Sequence, residues 1–233
     1  FLVAKFHYLL QDLRLIDDAG HLTRAAVLLF HPDPERYVFG AYIKIGFFRD
    51  DKGNLEFQDE IHGALMEQVD KAMDLIKTKY LIYRISYEGI SRRETPQFPV
   101  EAVRESLMNA IAHKDYASGV PIQISVFPDH ISFWNSGQLP EDWTTDRLFE
   151  SHPSAPYNPI IANAFFRSGD IESWGRGIEK ICSACEKDGV PQPEYTINPG
   201  DIMIKFTAPE DRVIRSVTGR VTEKVTDKVT DTL

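Results

Sequence analysis

Residues 99–113, with the sequence PVEAVRESLMNAIAH, predict a helix with two contrasting faces. One face is an apolar stripe at helical spacing, formed by Val100, Val103, Leu107 and Ile111. Glu105, Asn109 and His113 follow one another at i, i+4 and i+8, so they share another side of the same helix. A solvated face would more often carry Lys, Arg and Glu, and Asn is a mediocre helix former. Two interpretations stay open for this side: a surface in solvent, or a surface that a ligand approaches closely.

The composition predicts a globular, acidic protein. The 233 residues are 42% hydrophobic and 26% charged, which is enough apolar material for a sizeable core. The net charge of −9 argues against a surface that coats nucleic acid non-specifically. No apolar run approaches the roughly 20 residues of a membrane span, and the first residues lack the layout of a signal peptide. Two closely spaced cysteines give no disulfide framework, so we expect a cytoplasmic protein without a membrane partner.

Hydrophobic periodicity predicts the elements that precede the central helix. They are helices over 4–16 and 61–79, strands over 25–30, 42–48, 55–57 and 81–87, and a polar loop over 91–96. Pro99 suits the first position of the central helix, because that position needs no N–H donor.

After the central helix, the clearest prediction is a β-hairpin. Residues 122–126 and 131–133 alternate between apolar and polar side chains, and 127–130 supplies the turn. The remaining expected elements are a loop over 135–140, a short helix over 142–150, a loop over 151–158, a helix that Asn158 caps and Pro159 opens, a helix over 178–187, and a closing hairpin of 195–197 and 202–206.

Two further stretches carry groups that suit a binding site. Asn135-Ser136-Gly137 follows the predicted hairpin as a strand-end loop. Gly175-Arg176-Gly177 is a flexible turn at a predicted helix N-terminus, where free backbone N–H groups and the helix dipole favour an anion such as phosphate. A Gly-x-Gly turn alone is weak evidence. The order of polar helix, hairpin, Asn-x-Gly loop, proline-containing loop and Gly-x-Gly helix is more specific than any one part.

This order resembles the GHKL superfamily of ATP-binding domains, which includes gyrase B, MutL and histidine kinases and shares the Bergerat fold. Four stretches are similar in sequence to the bacterial and archaeal proteins labelled RecG-related helicases or transcriptional regulators: 104–116, 134–140, 158–162 and 171–178. In those proteins a Schlafen AlbA-type domain precedes a GHKL-like domain, and a winged helix often follows. The resemblance implies an α/β (α+β) fold: a two-layer sandwich with a mixed, mostly antiparallel sheet and helices on one face.

The resemblance also implies roles for individual residues. Glu105 matches the general base that activates the attacking water, and Asn109 matches the residue that holds Mg²⁺ against the phosphates. Gly175 and Gly177 match the glycines that cradle phosphate after a lid, here 151–167. The remaining candidate nucleotide contacts are His113, Asn135, Gly137 and Arg176. Hydrolysis of a phosphoanhydride needs the same kinds of group: a positioned base, a metal bridge and backbone donors.

Two departures from the family pattern leave a second function open. The Asp-x-Gly-x-Gly loop of the family is Asn135-Ser136-Gly137-Gln138-Leu139 here, so the carboxylate and the second glycine are both replaced. The first hypothesis is an ATP-binding regulatory domain with slow ATP hydrolysis, and the alternative is a degenerate Bergerat fold that dimerises or binds a partner without nucleotide chemistry. No Gly-x-x-x-x-Gly-Lys-Ser/Thr loop occurs in the sequence, so we expect no helicase motor.

The expected domain organisation has three parts. Residues 1–21 are a helical linker from an upstream module, 22–209 are the ATP-binding domain, and 210–233 are a linker to a C-terminal module such as a winged helix. Residues 217–232 repeat a four-residue Val-Thr pattern, for which a weak interaction helix is the alternative to a linker. The implied ligands are ATP and Mg²⁺. DNA would bind through modules outside this chain, and a homodimer is an open possibility.

Overall fold

The computed structural model describes residues 2–50, 53–140, 143–150, 152–169 and 175–213. These residues form an α+β sandwich with a six-stranded mixed sheet and a separate two-stranded sheet, as predicted for the fold class. In chain order the helices and strands are α1 (Leu2–Asp12), α2 (Arg24–Phe30), β1 (Ile43–Phe48), β2 (Leu55–Ile61), α3 (Leu65–Leu75, continued by a π-helical turn at Ile76–Tyr80), β3 (Tyr83–Glu88), β4 (Ser91–Pro96), α4 (Val100–His113), β5 (Ile122–Val126), β6 (His130–Ser136), α5 (Thr145–Leu148), α6 (Pro159–Arg167), α7 (Gly177–Asp188), β7 (Glu194–Asn198) and β8 (Asp201–Thr207).

The large sheet has one buried apolar face. Its strands run in the order β2-β1-β5-β6-β8-β7, and only β1 and β5 pair in parallel. Alternate residues of the four central strands point to one side and are buried there: Ile43, Ile45, Phe47, Ile122, Ile124, Val126, Ile131, Phe133, Ile204 and Phe206. The opposite side carries partly exposed residues such as Lys44 and Trp134, so the core lies on the first side.

Helix α4 lies at the centre of this core. Its Val103, Leu107 and Ile111 are 0% exposed, and the helix contacts α3, α6, α7 and strand β6. The prediction of an amphipathic helix here is confirmed. The helix begins at Val100, one position after the predicted start, and Pro99 is its N-cap residue with extended backbone.

The predicted strand over 25–30 is wrong, because these residues form helix α2. Thr23 caps the helix by accepting a hydrogen bond from the Ala26 N–H at 3.3 Å. Ala26, Leu28 and Leu29 are buried, and α2 packs against α3. A short apolar run of this kind fits a buried helix as well as a buried strand. The Thr before the run was the signal that distinguishes the two.

The predicted loop over 91–96 is also wrong, because these residues form strand β4. It pairs antiparallel with β3, from Tyr83 opposite Pro96 to Glu88 opposite Ser91. The strand has no apolar alternation because most of its side chains are exposed. Its pairing with β3, rather than burial, makes it a strand.

Several predicted elements are confirmed with shifted ends. The first helix ends at Asp12, because Arg14 adopts a φ of 55° and Ile16 bridges to Leu22. The helix predicted from residue 61 begins at Leu65, since β2 extends as far as Ile61. The helix predicted over 142–150 is the four-residue α5. Both predicted hairpins, β5–β6 and β7–β8, are present.

The repeat at 217–232 lies outside the described residues. None of the helices in the described part of the chain has both the length and the apolar character needed to cross a bilayer.

Candidate functional site

A cavity of about 120 Å³ lies between the polar side of α4, strands β6 to β8 and the chain that enters α7. Six of the eight residues selected from the sequence line it: Glu105, Asn109, His113, Asn135, Gly175 and Gly177. Residues that are far apart in the sequence therefore meet at one place. The polar side of α4 therefore lines a cavity and does not face open solvent.

Gly177, the first residue of α7, lies directly against α4. A Cβ atom at this position would be 2.7 Å from Glu105 Oε1 and 3.3 Å from both polar side-chain atoms of Asn109. Only a residue without a side chain allows the start of α7 to approach these two groups so closely. A carboxylate, a carboxamide and a helix N-terminus therefore converge within a few ångströms.

Gly175 holds the same turn against the loop that follows α5. Its φ of 73° is in the left-handed region, and a Cβ atom would lie 2.3 Å from the His152 carbonyl oxygen. Residues 152–156 of the predicted lid border the cavity. The C-terminal half of that predicted lid, 159–167, is helix α6, which is anchored by the buried Ile161 and Phe165.

The Asn135-Ser136-Gly137 stretch ends β6 next to the last turn of α4. Asn135 is buried at 3% exposure, lines the cavity, and donates from Nδ2 to the Ser136 carbonyl at 3.0 Å. Gly137 lies behind the cavity wall, where a Cβ atom would be 2.5 Å from the His113 carbonyl oxygen. The glycine thus allows the strand-end loop to pack on α4 and brings Asn135 to the cavity.

The structure places Arg176 away from this cavity. Its side chain borders a second, shallow depression on the outer side of α7, together with Glu101, Glu179, Lys180, Ser183, Ala184 and Lys187. The two glycines on either side of Arg176 line the main cavity.

His113 is a neutral imidazole in this site. Burial, together with the neighbouring His152, lowers the pKa of His113 to about 4. At neutral pH the cavity therefore has an uncharged donor and acceptor at the C-terminal end of α4.

Tyr195 on β7 is a cavity residue that no sequence pattern marks. Its hydroxyl oxygen is buried, and among the described residues it has no hydrogen-bond partner. Burial raises the pKa of Tyr195 above its ordinary value, so the hydroxyl remains protonated and can donate. The ring is held by Phe149, with 5.7 Å between ring centroids. An unpaired buried hydroxyl is costly, and a ligand in the cavity would give it a partner.

Trp143 and His152 form the outer rim of the cavity and were also missed. Their rings meet edge to face at 4.4 Å between centroids, and the Arg147 guanidinium lies 5.7 Å from the Trp143 ring. Trp143 comes from a stretch predicted as a short helix, and His152 lies in the predicted lid, where no pattern singles it out.

Asn158 ties α6 to α4 rather than capping α6 with its side chain. The predicted cap is wrong in this respect, because no side-chain hydrogen bond forms to the α6 N-terminus. Asn158 Nδ2 instead donates to the carbonyl oxygens of Ala112 at 3.1 Å and Lys114 at 2.7 Å. These are C-terminal groups of α4 that have no partner within the helix. The bonds fix the end of the helix that carries the site.

The site residues fit a nucleotide with its metal ion better than a resident metal. Within the described residues, no group of three or more His, Cys, Asp or Glu side chains could hold a metal ion. Mg²⁺ in nucleotide sites commonly uses one or two protein oxygens together with phosphate oxygens and water. Glu105 and Asn109 offer such oxygens beside the glycine-opened N-terminus of α7.

Comparisons with known proteins agree with this type of site. Residues 119–206 match the family model described as "Putative ATP-dependent DNA helicase recG C-terminal". No curated protein matches the chain. Among solved structures, the DIP2311 protein from Corynebacterium diphtheriae is similar, with a TM-score of 0.73 and 20% sequence identity. The match covers 87% of this chain and 40% of that protein, so the chain spans less than half of the DIP2311 structure. The likeness to DIP2311 shows a common fold, and the family match supports an ATPase-like, nucleotide-binding domain in this chain.

Proposed function

We propose that this chain binds ATP with Mg²⁺ in the cavity between α4 and α7, as a GHKL-like regulatory domain that hydrolyses ATP slowly. The observation that carries the proposal is the contact of Gly177 with Glu105 and Asn109. It joins a helix N-terminus, which favours anions, to a carboxylate and a carboxamide, which suit a base and a cation.

The phosphate end of the nucleotide would lie at the start of α7. The first backbone N–H groups of a helix have no intrahelical partner, and the helix dipole favours negative charge there. Asn109 would hold Mg²⁺ through its side-chain oxygen, and the bound ion would neutralise charge on the phosphate oxygens. Glu105, one helical turn earlier on α4, is the candidate general base that accepts a proton from the attacking water.

The base of the nucleotide would lie toward Asn135 and Tyr195. The Asn135 side-chain oxygen can accept a hydrogen bond from an adenine amino group, which is the role of the carboxylate in the family pattern. The unpaired hydroxyl of Tyr195 can donate to a ring nitrogen or a ribose oxygen. Mostly apolar walls, including Met108 and Ile204, suit the faces of a flat base.

The regulatory part of the proposal concerns the 152–156 segment. It borders the cavity and touches Gly175, so nucleotide in the cavity would contact it directly. We propose that nucleotide changes the order of this segment, and that flanking DNA-binding modules or a second copy of the chain sense the change. This part rests on the family resemblance together with the position of the segment.

Isothermal titration calorimetry with ATP and Mg²⁺ tests the binding. We expect heat of binding for the wild-type chain and at least a tenfold weaker affinity for Asn109→Ala, because a cation ligand is lost. Asn54→Ala, in the exposed β1–β2 turn, is the matched control and should bind as the wild type does.

Phosphate release separates hydrolysis from binding. Glu105→Gln should retain nucleotide affinity and lose about a hundredfold or more in turnover, the usual contribution of a general base. No heat with the wild-type chain, or equal affinity for Asn109→Ala, would reject nucleotide binding at this site. The alternative function, a dimerisation or partner-binding domain without nucleotide chemistry, would then be favoured.

A further inference from the structure

We propose that the outer edge of β3 is the interface through which two copies of this chain associate. The proposal concerns a surface remote from the nucleotide cavity and goes beyond the function proposed above. It rests on the exposure of the β3–β4 hairpin, on the direction of its backbone groups and on the pattern of its side chains.

The β3–β4 hairpin exposes several of its large apolar side chains. It forms a two-stranded sheet of its own and is not paired with the six-stranded sheet. Ile85 is 50% exposed, Tyr87 is 71% exposed and Ile90 at the turn is completely exposed. Isolated two-stranded hairpins are only marginally stable in water, and further strands or a packed face stabilise them.

The backbone hydrogen bonds show which residues of β3 face outward. The Gln97 N–H donates to the Ile82 carbonyl at 2.9 Å, so the backbone carbonyl of Ile82 points toward the β4 side of the hairpin. In an antiparallel ladder this direction alternates along the strand. The N–H and C=O groups of Tyr83, Ile85 and Tyr87 therefore point away from β4. Within the described residues they join no β-ladder.

The two edges of the hairpin differ in a way that favours β3 as the interface. The outward residues of β4 are Arg92, Glu94 and Pro96, and charges and proline are features that protect an edge strand from pairing. The Pro96 carbonyl also accepts a hydrogen bond from Arg212 at 3.2 Å. The outward residues of β3 are two tyrosines and an isoleucine, which have high strand propensity and no charge.

The β3 edge is complementary to itself when two copies are related by a two-fold axis at Ile85. In this antiparallel register Ile85 lies opposite Ile85 of the second copy, and Tyr83 lies opposite Tyr87. All three positions on each strand carry outward backbone groups, so each pair can exchange its hydrogen bonds. The same pairs place aromatic and aliphatic side chains side by side on one face, which stabilises a sheet.

The charges on the other face are compatible with this register. Arg84 would lie opposite Ser86 of the second copy and diagonal to both its Glu88 and its Arg84. Glu88 is already paired with Arg93 of its own chain. Arg84 is also paired with Asp211 of its own chain, so a basic residue at this place is already balanced. A second copy thus meets a sheet edge that matches it in hydrogen bonding and in its uncharged outward residues.

Sedimentation velocity of the 233-residue chain over micromolar to millimolar concentrations tests the proposal, without nucleotide so that the result is independent of the function proposed above. We expect a concentration-dependent dimer. Ile85→Lys places two like charges opposite each other at the two-fold axis and should weaken dimerisation by about tenfold. The position is half exposed, so circular dichroism should show an intact fold.

Cysteine cross-linking tests the register itself. Residues directly opposite in a hydrogen-bonded antiparallel pair have Cα atoms about 5.5 Å apart, within the range of a disulfide. Ile85→Cys should therefore cross-link to its own copy under mild oxidation. Glu94→Cys lies on the same face one strand further out and should not cross-link, because about three strand spacings would separate the two copies. Mass spectrometry of the linked peptide distinguishes position 85 from the native Cys182 and Cys185.

Three results would overturn the proposal. They are a monomer at all concentrations, a dimer that Ile85→Lys leaves unchanged, and cross-linking at position 94 that equals cross-linking at position 85.

Discussion

Gly177 shows how much one missing side chain contributes to this site. The N-terminus of α7 can contact Glu105 and Asn109 only because no Cβ atom lies between them. The sequence selects this glycine for its flexibility in a turn. The structure shows that its lack of volume is the property that matters.

Tyr195 gives the sharpest prediction at the scale of a single residue. Tyr195→Phe removes a buried hydroxyl that has no hydrogen-bond partner among the described residues. We expect the ligand-free protein to be as stable as the wild type or more stable by about 1 kcal/mol, and its ATP affinity to fall about tenfold. Chemical denaturation and calorimetry measure the two effects.

The opposite signs of these two effects are the test. If the hydroxyl had a purely structural role, its removal would lower the stability and leave the ATP affinity unchanged. Tyr157→Phe, an exposed tyrosine outside the cavity, is the matched control and should change neither quantity.

The candidate site could be predicted from the sequence only where its residues have a characteristic spacing. Glu105, Asn109 and His113 are marked by their helical repeat, and the two glycines by their place before a helix. Tyr195 and Trp143 carry no such signal, because a tyrosine in a strand or a tryptophan in a loop occurs in many surroundings. Arg176 has the right position in the chain, but its side chain extends to the other side of α7.

At the scale of elements, the carbonyl groups at the C-terminus of α4 depend on the residue before α6 for hydrogen-bond donors. Asn158→Ala would leave the Ala112 and Lys114 carbonyls without the side-chain donor. We expect the free energy of unfolding to decrease by about 1–2 kcal/mol, because the Lys114 carbonyl loses a donor. The Ala112 carbonyl keeps its hydrogen bond from the Asn158 backbone N–H at 2.9 Å. Urea denaturation measures this change. Asn163→Ala, in the same helix, should cost distinctly less, and equal losses would show that the α4 contacts carry no special weight.

The elements that the sequence predicts correctly are those in which burial and periodicity agree. The β5–β6 hairpin alternates over both strands, and α4 has a complete apolar stripe. α2 and β4 were predicted wrongly because their burial does not produce the apolar period expected for the element that they form. α2 is too short and too apolar to show a helical period, and β4 is a strand without a buried face.

At the scale of the whole molecule, His113 makes stability depend on pH. In the unfolded chain its pKa is near the ordinary value of 6.5, and burial lowers it to about 4 in the folded protein. Between these values the unfolded chain binds more protons, so the free energy of unfolding falls as the pH is lowered from 6.5 toward 4. At pH 5 the loss from this residue is at most about 2 kcal/mol.

Urea denaturation at pH 7 and pH 5 measures this loss. His113→Gln should reduce the difference between the two pH values, whereas His21→Gln, at an exposed histidine, should leave it unchanged. A wild-type difference that survives in His113→Gln would assign the pH dependence to other groups.

The parallel pairing of β1 with β5 has a consequence for how the chain folds. It joins residues that are 79 positions apart, since Ile43 lies opposite Ile122. Everything between them, including α3, the β3–β4 hairpin and α4, must be accommodated before this ladder can close, and closing so long a loop carries a large entropic cost. β5, β6 and β8 are joined by antiparallel pairs and can assemble earlier. The cavity lies between α4, which belongs to this long connection, and β6 to β8 of the early antiparallel sheet. Refolding should therefore restore the antiparallel sheet before it restores nucleotide binding.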